Sequence, residues 1–227
     1  MRKSDFLCLA AFAAVTWPLA WPEAPPLWEW LKDSRRYQLG FLAFALLGPL
    51  GEAASARLRG AGYPRPGQWA AAALLWGLYG LGAALLFWLF NGAVALAQGA
   101  GLLPGGGWRL GGSLWRSFFL GSFFTEPFFT SLLVGFCFTQ PFLASRRLAE
   151  AALNLWWAEG RRPNLDQASA AADWPGFLRD EAVTLPFLRV PLLTFVFMLP
   201  PALWLWTAAW LGAVLEVLLG LARRKTP

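Results

Sequence analysis

Residues 117–145 read SFFLGSFFTEPFFTSLLVGFCFTQPFLAS. Eight of the chain's 19 phenylalanines fall between Ser117 and Thr139. The motif Phe124-Thr125-Glu126-Pro127-Phe128 returns fourteen residues later as Phe138-Thr139-Gln140-Pro141-Phe142. A run this long and apolar suffices for a helix to cross about 30 Å of hydrocarbon at about 1.5 Å per residue. Its Phe, Leu and Val residues up to Thr139 favour insertion by roughly 4 to 7 kcal/mol, against roughly 3 kcal/mol opposing it from one central acid. Glu126 is thus tolerable in a membrane, provided that it faces something other than lipid.

Helical spacing places Ser122, Glu126 and Thr130 on successive turns of one face, and brings Gln140 back to within about 40° of Glu126. Pro127 and Pro141 leave the carbonyls of Phe123 and Cys137 without their helical donors, so bends are expected at both sites. Backbone oxygens beside a carboxylate and a carboxamide are how helical membrane proteins build cation or proton sites near the midplane. Two readings of Glu126 follow. It lines a water-filled path or binds a solute, or else, protonated or paired with Arg189 or Asn91, it fastens helices together.

The rest of the chain agrees with a membrane setting. Of its 227 residues 57% are hydrophobic and 14% charged, well outside the soluble average. Several of the 15 Trp lie beside charged loop ends, among them Trp28 and Trp30 near Lys32, Trp108 and Trp115 near Arg109 and Arg116, and Trp156 and Trp157 before Arg161. Such positions suit the headgroup belt. The net charge of +6 is spread over short loops, which makes membrane lipids, anionic headgroups included, the expected partners and argues against nucleic acid. There is no histidine, and Cys8 and Cys137 both sit in apolar runs. Histidine-based catalysis is excluded, and neither a disulfide framework nor a metal site is indicated. No nucleophile or phosphate loop can be assembled either, so the chain is read as a non-enzyme without cofactors.

Spans are expected at about 6–21, 37–56, 69–98, 117–145 and 201–221. The first follows Arg2-Lys3 and is read as an uncleaved membrane helix, because Pro18 sits where a cleavage site needs a small residue. The second contains Pro49 and Glu52, the latter within reach of headgroup water and of Arg57 and Arg59. Along the third, Ala73, Gly77, Gly80 and Ala84 form one small-residue face that invites close helix contact, and Asn91 continues the stripe. Residues 99–116 form a glycine-rich connector. Residues 146–186 are read as a polar loop that opens with an amphipathic helix ending near Gly160, which extends the fourth span or lies on the membrane, and that carries at most one short helix beyond it. The segment 187–199 is too short to cross alone and is read as re-entrant, interfacial or half of a broken helix, with Arg189 as an interfacial anchor. Glu216 lies within reach of the basic tail.

The expected fold is all-α, a single polytopic helical membrane bundle of four to five transmembrane helices with proline-broken helices and one amphipathic helix. Two places resemble the Mpv17/PMP22 family of small four-helix membrane proteins. One is Gly51-Glu52, where that family has Gly-Asp; the other is PLLTFVFMLP at 191–200, with Thr194-Phe195 and Leu199-Pro200 in place of Asn-Phe and Val-Pro. The resemblance implies a membrane protein of organelle or bacterial type for which channel activity has been proposed. Two functions compete. One is a small channel or transporter for an ion, proton or small metabolite, lined by Glu126, Gln140, Ser122, Thr130, Asn91, Glu52 and Arg189. The other is a non-catalytic scaffold or assembly subunit that holds a second copy or another membrane protein against the Ala73-to-Ala84 face and the interfacial tryptophans. Arginine-rich, lysine-poor usage suggests a GC-rich bacterial genome, and the expected location is the cell membrane, as a multi-pass protein of the bacterial inner membrane.

Overall fold

The computed structural model describes residues 35–60, 62, 66–103 and 126–224. The expected span at 6–21, the glycine-rich connector beyond Leu103, Cys8, and Ser122 with the rest of 117–125 lie outside the described residues. Six helices follow in order: α1 (Arg36–Leu58), α2 (Pro66–Gly99), α3 (Glu126–Glu159), α4 (Leu165–Ala171), α5 (Trp174–Met198) and α6 (Trp204–Arg224). No strand occurs among the described residues. Among the described residues, five stretches, of 23, 34, 34, 25 and 21 residues, are long and apolar enough to cross a membrane. Their outward faces carry large apolar side chains. Leu74, Leu78, Leu85 and Leu89 on α2 are each more than half exposed, a surface that water would penalise and hydrocarbon solvates. The chain is a multi-pass membrane protein built as a helical bundle.

The helices form two compact units, one from α1, α2 up to Leu85, and Met198 onward, the other from Leu86 to Phe197. In the first, α1 is gripped on two sides by ridges of four-residue spacing. Ala43, Leu47, Gly51 and Ser55 face α6, where Ala43 and Leu47 form a buried core with Ala209 and Ala213. A Cβ on Gly51 would come within 2.7 Å of the Ala213 Cα, and one on Gly220 within 2.5 Å of the Ser55 hydroxyl. On the other side of α1, a Cβ on Gly40 would approach the Gly80 carbonyl oxygen to 2.5 Å, and one on Gly77 would approach the Phe41 ring to 2.5 Å. Backbones this close replace hydrophobic drive with dispersion contact, as helix pairing in lipid requires. The small face of α2 is therefore covered by α1 within the same chain at Gly77 and Gly80.

Of the two courses open to residues 146–159, extension of the preceding span is the one observed: they continue α3 without interruption, so this helix reaches roughly 51 Å in length and exceeds the hydrocarbon thickness. Three expectations need correction. The remainder of the expected polar loop holds two helices rather than one. Asn164 caps α4 in a reciprocal box with Gln167, and the Asp173 side chain accepts from the Gly176 N–H to start α5. Residues 187–199 are not a short segment on their own, because they complete the 25-residue helix α5. Prolines do less breaking than expected. Pro49 lies inside α1, and only Pro200-Pro201 interrupts a helical course among the described residues, through extended backbone at Pro200 (ψ 139°) and a 3₁₀ turn at Pro201–Leu203.

Near Pro141 and around Pro186 the helices widen instead of breaking. Val134–Thr139 in α3 and Leu185–Arg189 in α5 are π turns. A proline nitrogen cannot donate, so a wider turn is one way for the ladder to pass it. The two π turns adjoin each other. A Cβ on Gly135 would stand 3.3 Å from both Leu185 Cδ1 and Val190 Cγ2.

Candidate functional site

The buried polar residues of the second unit gather in three places. In the first, the Asn91 amide on α2 donates to Glu126 Oε1 on α3 at 2.8 Å, and the Thr130 hydroxyl reaches Asn91 Oδ1 at 3.4 Å. Of the two partners the sequence offers Glu126, the structure gives it Asn91. Asn91 is used at both ends, as a donor to the carboxylate and as an acceptor from the hydroxyl. Thr130 is fully buried, while Glu126 and Asn91 are partly buried.

One residue further along, the fully buried Ser131 meets Thr194 of α5, their hydroxyl oxygens 2.7 Å apart. Ser131 also reaches the Phe128 carbonyl at 2.7 Å, and Thr194 donates to the Val190 carbonyl at 2.8 Å. Two protons serve three contacts here, so the direction of donation between the hydroxyls is free to reverse.

The third cluster is one the sequence reading did not anticipate. Glu181 on α5 receives two hydrogen bonds from one guanidinium, Arg189 Nη2 to Oε1 at 2.8 Å and Arg189 Nε to Oε2 at 3.1 Å. The Gln140 amide of α3 adds a third at 3.2 Å. Both charged side chains are largely buried, 13% exposed for Arg189 and 9% for Glu181. Paired this way, each charge offsets the desolvation of the other. Arg189 is thus a partner of an acid rather than an interfacial anchor. The signal for Glu181 was present in the sequence: Asp173 followed by Pro175 is a helix start, which puts Glu181 on a helix instead of in a loop.

The expected polar stripe on α3 is split by the π turn. Fourteen residues of regular helix would leave Gln140 about 40° from Glu126, but the wide turn absorbs about one residue and shifts everything after it by about 100°. Gln140 is carried to roughly the opposite side of α3 and so meets Glu181 instead of joining Glu126. Glu52 belongs to the other unit, where the Trp76 indole donates to its Oε1 at 2.7 Å while the Trp76 ring occupies the space beside Gly48. Of the seven expected lining residues, Glu126, Thr130 and Asn91 share one cluster, Gln140 and Arg189 share another, Glu52 stands apart, and Ser122 lies outside the described residues. The chain matches no family model, no curated protein and no solved structure.

Proposed function

We propose that this chain is a small membrane channel or transporter for an ion, proton or small polar metabolite, with Glu126 as its principal binding group. The observation that carries the reading is that polar side chains recur along α3 from Glu126 to Gln140 in three separate groups within the second unit. They are Glu126, Asn91, Thr130, Ser131, Thr194 and then Gln140 with Glu181 and Arg189. Fourteen residues of α3 rise about 21 Å, a large part of the hydrocarbon thickness. Ionisable groups within spanning helices are costly and mark solute or ion pathways by default. Fastening alone would be served by less, since interhelical polar contacts average about 0.6 kcal/mol.

For the competing scaffold reading, α1 covers the small face of α2, which leaves the exposed Trp156 and Trp157 as the surface for a partner. The test is flux. Protein reconstituted in liposomes should pass protons, monovalent cations or small polar solutes, and Glu126→Gln, which keeps the shape and the hydrogen bond from Asn91, should reduce the rate. Equal rates for the two proteins would remove Glu126 from the mechanism.

A further inference from the structure

Glu181 and Arg189 are eight residues apart on the same helix. Regular helices pair charges three or four residues apart, and eight residues of α-helix leave two side chains about 80° apart around the axis. The Leu185–Arg189 π turn lies between them. Because the wide turn absorbs about one residue, eight residues do the angular work of seven, and residues seven apart fall within about 20° of each other. The two-pronged contact thus exists only in the widened register. Conversely, the contact clamps the two ends of the wide turn together.

We infer that the Glu181–Arg189 pair is a brace that holds α5 in one of two registers. In the register seen, the π turn is wound in, Arg189 lies over Glu181, and Thr194 meets Ser131. Release of the pair lets the turn relax to ordinary α-helix, which advances the far part of α5 by one residue and rotates it about 100°. That rotation takes Thr194 away from Ser131. A second observation points the same way. Thr184, at the start of the wide turn, is buried with its hydroxyl lacking a hydrogen-bond partner among the described residues, so the braced register leaves one polar group unsatisfied. Gln140 follows directly on the π turn of α3 and donates to the same carboxylate, which ties the brace to both widened helices. Two packings of one element separated by a local charge contact are the usual form of a conformational switch.

The test reads register directly and requires no transport activity. In full-length protein carrying Cys8→Ser and Cys137→Ser, cysteines replacing Ser131 and Thr194 should form a disulfide on mild oxidation, because the hydroxyls they replace are 2.7 Å apart. Adding Glu181→Gln or Arg189→Met should abolish the cross-link while circular dichroism and gel filtration remain those of the parent. Arg189→Lys keeps the charge but cannot form the two-pronged contact, and it decides the matter if Arg189→Met does not elute as folded protein. Cross-linking at the parental rate in Glu181→Gln and Arg189→Lys would overturn the inference.

Discussion

Removing Glu181 alone leaves a mostly buried guanidinium and a carboxamide without their acceptor. Three hydrogen bonds to the carboxylate vanish together, and two of them joined opposite charges. Breaking a buried pair by deleting one partner costs about 3 to 5 kcal/mol, whereas replacing both partners with apolar groups of similar volume is far milder. Both side chains keep a little exposure, 13% and 9%, so the lower end of that range applies. Glu181→Leu and Arg189→Met should each destabilise the protein by about 3 kcal/mol, and the double variant by no more than either single one. The resulting coupling is about 3 kcal/mol, at the upper end of what contacting residues show. Reversible unfolding in mixed micelles, titrating dodecyl sulfate into a mild detergent and following helicity, measures all four corners of the cycle. A double variant whose loss equals the sum of the singles to within about 0.5 kcal/mol would refute the argument, since independent sites add to that accuracy.

Other outcomes follow from the same contacts. Gly80→Val should destabilise by about 1 to 3 kcal/mol in the same titration, because its side chain would strike the Gly40 carbonyl, which is backbone and cannot turn aside. Asn91→Leu should lower stability by about 1 kcal/mol and slow flux, since Glu126 and Thr130 lose a shared partner. Gly160 ends α3 at φ 70° with its N–H on the Trp156 carbonyl, so Gly160→Ala should destabilise by about 1 kcal/mol, measured as a lowered unfolding midpoint.

Hydropathy made most of the fold legible. The spans read at 37–56, 69–98 and 201–221 correspond to stretches observed at Arg36–Leu58, Pro66–Gly99 and Pro201–Leu221. Apolar length is a property of each segment alone, so it survives the loss of tertiary information. The left-handed residue after α3 was legible too, because glycine is the residue that adopts that conformation without strain. What escaped depends on register. A proline in a helical pattern signals a disturbed ladder but not whether it bends, breaks or widens, and at Pro141 and Pro186 the choice of widening moved Gln140 and Arg189 onto new partners. Glu181 escaped for a different reason. The charged stretch around it reads as solvent-exposed loop until the Asn164 and Asp173 caps are recognised as helix starts. The face from Ala73 to Ala84 was read correctly as a contact face, but no spacing rule tells whether its partner is another protein or α1.

The proposed function requires that Glu126 stand beside water within the membrane. In protein carrying Cys8→Ser and Glu126→Cys, and reconstituted in liposomes, two thiols compete for a charged, membrane-impermeant thiol reagent: the new one at position 126, and the native Cys137, which is exposed on α3 beside the exposed Phe136. Rapid labelling at position 126 and little at Cys137 is the expected result. Labelling confined to Cys137, or absent from position 126 from either side of the membrane, would contradict it.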